Sequence, residues 1–135
     1  MAIQSDVQVQ FISDEVAADD DFIVTAARPD TAATLANSSF ASGGARILNV
    51  TTTGTGDNGK TNTIVGTDVF GDSLTEDITS TGSAEAVSGT KYFKTITSVT
   101  SSAQFAANLK VGSTASAAQS VGNGARVRLK GYSIV

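Results

Sequence analysis

The chain has 135 residues with a net charge of −4, and it contains no histidine, cysteine or tryptophan. The lack of cysteine and histidine excludes disulfides, thiol nucleophiles, zinc sites built on these side chains, and Ser-His-Asp or Cys-His catalytic groups. Proteins that bind nucleic acids generally are basic, so the acidic balance speaks against this class. We expect no membrane partner either, because no apolar run is long enough to cross a bilayer and no secretory signal is visible at the N-terminus.

The first predicted strand covers residues 3–11, where apolar and polar side chains alternate with a period of two. This period is typical of a strand with one face buried. The side chains of the less polar face are Ile3, Ser5, Val7, Val9 and Phe11.

The region after this strand is predicted to be mostly loop. An acidic loop over 14–21 ends in three consecutive aspartates and leads into a short buried strand over 22–25. Residues 26–44 are rich in Ala, Ser and Asn, and we interpret them as a long surface excursion with one helical turn near 31–35. A loop of this length in a compact domain usually has a functional or contact role.

The rest of the chain contains further candidate strands separated by turns and small-residue loops, the latter including residues 82–89 and 113–124. The apolar side chains of the strand predicted over 91–100 have conflicting parity, Phe93 and Val99 against Tyr92 and Ile96. Either both of its faces are covered or a bulge interrupts it. The predicted strands are 45–53, 61–70, 73–79, 91–100, 108–112 and 125–135.

Composition and pattern together predict an all-β fold in one domain spanning residues 1–135. The 18 threonines and 16 serines, with many valines and isoleucines, fit pleated sheet better than helix, and the 13 glycines supply turns. Eight short strands without a convincing helix predict a sandwich of two antiparallel sheets. A jelly-roll-like arrangement accommodates eight strands, and a seven-strand immunoglobulin-like sandwich is the alternative.

Residues 54–61, GTGDNGKT, match both the P-loop pattern G-x-x-x-x-G-K-[ST] and the pattern G-x-G-x-x-G. Phosphate binding by these motifs requires a helix directly after the loop. The residues after Lys60 are instead β-branched and interrupted by glycine, which is a poor start for a helix. We therefore interpret the segment as a hairpin turn in which Asp57, Asn58 and Gly59 adopt left-handed conformations.

Two groups of carboxylates are candidate sites. Asp68, Asp72 and Glu76 flank a glycine reversal, and paired carboxylates can perform acid–base chemistry on glycosides or bind calcium. No aromatic sugar platform or calcium-loop spacing accompanies them, so a solvated turn is favoured. The run Asp19–Asp21 is interpreted as a hydrated loop or an acidic patch facing a partner, with calcium binding as a minor alternative.

The most localised positive charge is the stripe formed by Arg126, Arg128 and Lys130 on the last predicted strand. It is either a solvated face that discourages edge pairing or a contact for an acidic partner. No spacing of residues singles out a catalytic group. The sequence therefore favours a structural or binding role over that of an enzyme, and it predicts no cofactor and no metal.

A resemblance to small virion proteins of tailed bacteriophages is carried by residues 64–78, IVGTDVFGDSLTEDI, and by residues 91–99, KYFKTITSV. A short segment ending in Val111-Gly112 follows, and the first five residues resemble the start of capsid cement proteins. The resemblance implies a jelly-roll-like sandwich that decorates and stabilises the outer surface of the capsid. Its implied partners are the major capsid protein and further copies of this chain, as dimers or trimers, without a small-molecule substrate.

Three other functions remain open at this point. The chain could be a tail, fibre or head–tail connector protein of a phage, a carbohydrate-binding sandwich assisted by calcium, or a nucleotide-binding enzyme that uses residues 54–61. For a decoration protein, the expected contact regions are the first strand, the 26–44 excursion and the basic stripe. The candidate contact residues are Ile3, Val7, Val9, Phe11, Arg28, Phe40, Arg126, Arg128 and Lys130.

Overall fold

The computed structural model describes residues 18–40 and 44–118, and these ranges form two antiparallel sheets packed face to face. The larger sheet has the strand order β1-β7-β2-β5 and the smaller one β4-β3-β6. The predicted all-β, two-sheet sandwich is therefore confirmed. Its strands are β1 (Asp19–Ala27), β2 (Ala45–Thr52), β3 (Thr61–Thr67), β4 (Ser73–Thr79), β5 (Ala86–Phe93), β6 (Thr95–Ser101) and β7 (Leu109–Ala118).

The core lies between the two sheets and is built from the inward faces of their strands. In β3 the alternation is strict, with Asn62, Ile64 and Gly66 buried and the intervening residues half-buried. Apolar burial of this kind stabilises a fold by about 25 cal/mol per Å² removed from water. The buried cluster contains Ile23, Val24, Phe40, Leu48, Val50, Ile64, Ile78, Phe93, Ile96, Val99, Phe105, Leu109 and Val111.

Residues 91–100 form two strands and not the single strand that was predicted. β5 ends at Phe93 in the larger sheet, and β6 begins at Thr95 in the smaller one. A bulge in the pairing of β6 with β3 then allows Ile96 and Val99 both to face the core. The conflict of parity is thus explained by a change of sheet together with the predicted bulge.

Three strands extend beyond their predicted bounds. β1 begins at Asp19, so the end of the predicted acidic loop is strand, and β5 begins at Ala86, inside the predicted 82–89 loop. β7 continues to Ala118 through residues predicted to be a small-residue loop, because their backbone pairs with β2. Pairing with β2 outweighs the weak strand propensity of these residues. The two predicted terminal strands, 3–11 and 125–135, lie outside the described residues.

The helical turn predicted near 31–35 is wrong, since this part of the chain runs in extended form along the edge of β6. Isolated bridges join Ala32 to Thr100 and Ser39 to Thr95. We call residues 28–40 the crossing segment. It fills the edge of β6 that β3 leaves open, so the predicted excursion lies against the sandwich.

The crossing segment is also bound to β1, and it therefore connects the two sheets along one side. The amide of Ala36 donates to the carbonyl of Ile23 at 2.8 Å, and the Asn37 side chain donates to the carbonyl of Phe22 at 2.8 Å. On its other flank the amide of Ala33 donates to the carbonyl of Val99 at 2.9 Å. Edge groups of both sheets are thus paired on this side.

On the opposite side of the sandwich, Glu76 of β4 links the smaller sheet to the larger one. Its carboxylate accepts hydrogen bonds from the Thr90 amide at 2.6 Å, the Thr90 hydroxyl at 2.9 Å and the Lys91 amide at 3.3 Å, all from β5. In return, the Lys91 ammonium donates to the carbonyl of Thr75 at 2.6 Å. A side chain therefore provides here the link between sheets that backbone pairing does not.

We expect Glu76→Ala to lower the free energy of unfolding by about 2 kcal/mol, because it leaves two β5 amides without their acceptor. Glu76→Gln retains one acceptor oxygen and should lose less. Chemical denaturation measures both, with Glu85→Ala as a control, because Glu85 is exposed. A Glu76→Ala protein as stable as the wild type would show that the link contributes nothing.

No helix in the two described ranges is long and apolar enough to cross a membrane.

Candidate interaction surface

The segment 54–61 is a connection between the two sheets, because it leads from β2 to β3, and it is not the hairpin turn that was predicted. A 3-10 turn covers Thr55–Asp57, and Asn58 is extended with φ −60° and ψ 130°. Among residues 54–61, only Gly59, with φ +79°, takes the left-handed conformation. Strand β3 begins at Thr61, as the β-branched residues predicted, and the helix that a P-loop needs is replaced by this strand.

Asp57 of this connection is fully buried and binds a second loop. Its Oδ1 accepts a hydrogen bond from the Ala106 amide at 2.7 Å, and its Oδ2 accepts one from the Ala107 amide at 3.1 Å. The Lys60 ammonium lies 2.7 Å from Oδ1 and balances the charge. A buried carboxylate with these three partners joins two loops at one end of the sandwich.

Lys60, the residue that would contact phosphate in a P-loop, is occupied within the fold. Besides Asp57, its ammonium donates to the backbone carbonyl of Gln104 and lies 5.2 Å from the centre of the Phe105 ring. These contacts stabilise the ammonium by charge and by cation–π attraction. The arrangement supports a structural role for the residues that match the P-loop pattern.

Acid should weaken this junction. Burial alone raises the pKa of Asp57, but the hydrogen bonds from Lys60 and from the amides of Ala106 and Ala107 outweigh it and hold the pKa below 3.8. The stabilisation is therefore complete above the ordinary carboxyl pKa and is lost as the pH falls through the lowered value. Urea denaturation between pH 7 and pH 2 should show a steeper loss below pH 4 in the wild type than in Asp57→Asn. Parallel curves for the two proteins would contradict this assignment.

The carboxylates of Asp68, Asp72 and Glu76 are not assembled into one site. Asp68 bonds within its own turn, and Glu76 lies in β4, where its carboxylate is bound by β5. Glu76 lies four residues after Asp72 along extended chain, which corresponds to about 13 Å. Neither an acid–base pair nor a calcium site is formed by these three.

Asp19, Asp20 and Asp21 do come together, with carboxylate oxygens within 4.8 Å of one another on β1. They could in principle hold a cation through oxygen ligands. However, the Asp20 carboxylate is paired with the Lys110 ammonium at 3.0 Å. A hydrogen bond with Asp19 is the main cause that raises the pKa of Asp21, and burial and the neighbouring charges of Asp19 and Asp20 raise it further. The cluster lies at the surface, with Asp20 exposed and Asp19 and Asp21 half-buried, and it already has a positive partner, so we assign no metal to it.

The turn between β3 and β4, which we call the hairpin tip (residues 68–72), carries the most exposed large apolar side chain in the described ranges. Phe70 is 76% exposed. The Asp68 carboxylate accepts hydrogen bonds from the amides of Phe70 at 2.8 Å and Asp72 at 3.0 Å. The amide of Gly71 donates to the Asp68 carbonyl at 3.1 Å, and Gly71 supplies the positive φ of +92° that the reversal requires. The tip therefore holds an exposed aromatic ring on a fixed backbone.

Of the predicted contact residues, two lie in the described ranges. Phe40 is a core residue, 4% exposed, with its ring stacked on Phe22 at 5.4 Å and the Arg46 guanidinium 5.9 Å from its centre. It is therefore removed from the proposed contact residues, because its side chain does not reach the surface. Arg28 is exposed, although its Nε donates to the carbonyl of Phe105 at 2.7 Å. Outside the described residues lie Ile3, Val7, Val9, Phe11, Arg126, Arg128 and Lys130.

The sequence analysis missed two features, the exposure of Phe70 and the burial of Asp57. Phe70 was placed at the end of a strand predicted over 61–70, whereas β3 ends at Thr67. The pattern Asp68-x-x-Gly71 is a turn signal that could have placed Phe70 in the centre of a turn. The burial of Asp57 had no local signal, because it depends on amides about fifty positions away in the sequence.

Comparison with protein-family models, with curated proteins and with solved structures found no match to this chain. The class that the fold defines is an all-β, two-layer sandwich.

Proposed function

We propose that this protein is a capsid decoration, or cement, protein of a tailed bacteriophage. It binds the outer surface of the shell and stabilises it across the seams between capsid subunits. Its partners are the major capsid protein and further copies of itself, and it performs no chemistry. The single observation that carries this proposal is the fixed hairpin tip with its exposed Phe70. The tip is set on a sandwich whose two sheets are linked to each other along both sides.

The resemblance to phage virion proteins supports the proposal because its residues form a coherent part of the fold. Residues 64–78 contain most of β3 and all of β4 except its last residue, and residues 91–99 contain the end of β5 and most of β6. These strands make up the smaller sheet and its connection to the larger one. The similar sequence therefore coincides with one sheet and its hairpin tip, not with scattered loops.

Stabilising a shell under internal pressure requires contact area and rigidity. A standard protein interface buries about 1,600 Å² in total, and repetition over many copies multiplies a modest free energy per copy. A rigid sandwich loses little conformational entropy on docking, which leaves more of the contact energy for holding subunits together. Connections at both sides of this sandwich, through Glu76 and through the crossing segment, favour such rigidity.

Cryo-electron microscopy of the phage that encodes this chain tests the proposal. We expect density for the sandwich on the outer capsid surface, repeated with the symmetry of the shell. Particles assembled without the protein should release their DNA at a lower temperature than complete particles. Density on the tail axis would overturn the proposal in favour of a tail, fibre or connector protein. Heat of binding to a glycan panel in the presence of calcium would instead favour a carbohydrate-binding module.

A further inference from the structure

The residues at the centre of the hairpin tip do not suit a turn that serves only to reverse the chain. Asp68 and Gly71 occupy the first and last positions of the turn, as turn statistics favour. The central positions are Val69 and Phe70, where proline, asparagine, aspartate or serine would be usual. Local departures from otherwise consistent sequence preferences are expected at functional positions.

The same turn holds Phe70 ready for contact. With its amide bound by the Asp68 carboxylate and 76% of its surface exposed, Phe70 is fixed at its backbone and open at its ring. An aromatic side chain has only two rotatable bonds, so burying it in a partner costs little entropy. Aromatic residues presented in this way dominate the energy of many interfaces.

The charge beside Phe70 indicates the chemistry of the surface that receives it. Asp68 and Asp72 stand two positions before and two positions after Phe70 in the same five-residue turn, and Asp72 is exposed. A partner surface with carboxylates around its pocket would be repelled, whereas one with Lys or Arg would be attracted. Complementarity therefore selects an apolar pocket with basic side chains at its rim.

We propose that Phe70 is the anchor residue of this protein and that it docks into an apolar pocket with a basic rim on the capsid shell. This inference rests on the proposed function, since the shell is the partner assumed. It assigns the contact to the hairpin tip, which the sequence analysis did not include among the contact regions.

Co-sedimentation of purified protein with shells of the encoding phage, assembled without this protein, tests the anchor. Relative to wild type, Phe70→Ala should bind about 30-fold more weakly, the effect expected of a central interface aromatic. Asp72→Lys should also bind more weakly and should lose the salt dependence of the wild type. Tyr92→Ala, which alters the other large exposed apolar side chain of residues 18–40 and 44–118, should bind within about twofold of wild type.

The outcomes separate this inference from the proposed function. If the wild type binds and Phe70→Ala binds equally, the anchor is wrong and the decoration role stands. If the wild type does not bind, both are overturned. Tighter binding by Asp72→Lys would contradict the basic rim. Sedimentation velocity of wild type and Phe70→Ala completes the test, because an oligomer lost in the variant would place a second copy on Phe70 and overturn docking to the shell. Unfolding curves that coincide for the two proteins exclude misfolding as the cause of weaker binding.

Discussion

Replacing Asp57 with alanine is expected to lower the free energy of unfolding by about 4 kcal/mol. The substitution leaves the Lys60 ammonium, which is largely buried, without its counter-charge. It also leaves the amides of Ala106 and Ala107 without an acceptor at a site that excludes water. Urea denaturation at pH 7 measures the effect, and the loss should be accompanied by local opening of the two loops that Asp57 joins.

Two further variants identify the source of that loss. Lys60→Met removes the charge partner and should cost about 3 kcal/mol, and the double variant with Asp57→Ala should cost less than the sum of the single changes. Glu85→Ala alters an exposed carboxylate directly before β5 and should stay within about 0.5 kcal/mol of wild type. Additive effects at 57 and 60 would show that the two side chains do not act as a pair.

Gly66→Ala should be the most damaging conservative change in the smaller sheet. A Cβ on Gly66 would lie 1.9 Å from the Thr95 carbonyl oxygen and 3.1 Å from the Cα of Ile96. Both are backbone atoms next to the point where the chain changes sheets, so they cannot rotate away. We expect a loss of about 3 kcal/mol or more, or failure to fold, as measured by thermal unfolding and by expression in soluble form.

A matched glycine substitution distinguishes a steric clash from a conformational cost. Gly59 has a positive φ of +79° but nothing within 4 Å of the position of its Cβ. Gly59→Ala should therefore lower the free energy of unfolding by about 1 kcal/mol, which is the strain of a left-handed conformation in a residue with a Cβ. A Gly66→Ala protein no less stable than Gly59→Ala would contradict the close approach of β3 and β6.

Strand periodicity predicted the bounds of a strand well where the whole predicted segment belongs to one sheet. Residues 73–79 alternate in polarity between two turns, and β4 has those bounds. The prediction over 91–100 was wrong because one residue, Lys94, separates strands of different sheets. Local sequence carries no signal for a change of sheet this short, apart from the conflict in parity. β7 was predicted too short because its extension is held by the backbone of β2, which no side-chain pattern reveals.

The candidate surface was harder to predict than the fold. Phe40 was placed among the contact residues because it lies in the predicted surface excursion over 26–44, but the crossing segment brings it into the core beside Phe22. Phe70 has the same side chain and the opposite environment. The difference arises from the Asp68 turn, whose hydrogen bonds direct the chain away from the core. Burial is a property of the assembled sheets, so residue type could not distinguish these two rings.

The links between the sheets along both sides of the sandwich affect how neighbouring molecules can interact. An open strand edge can recruit a strand from another molecule and begin a fibre. Here the Thr90 and Lys91 amides of one edge are occupied by Glu76, and carbonyls of β1 and β6 are occupied by the crossing segment. Pairing of strands between molecules at these two edges is therefore disfavoured, even where many copies lie side by side.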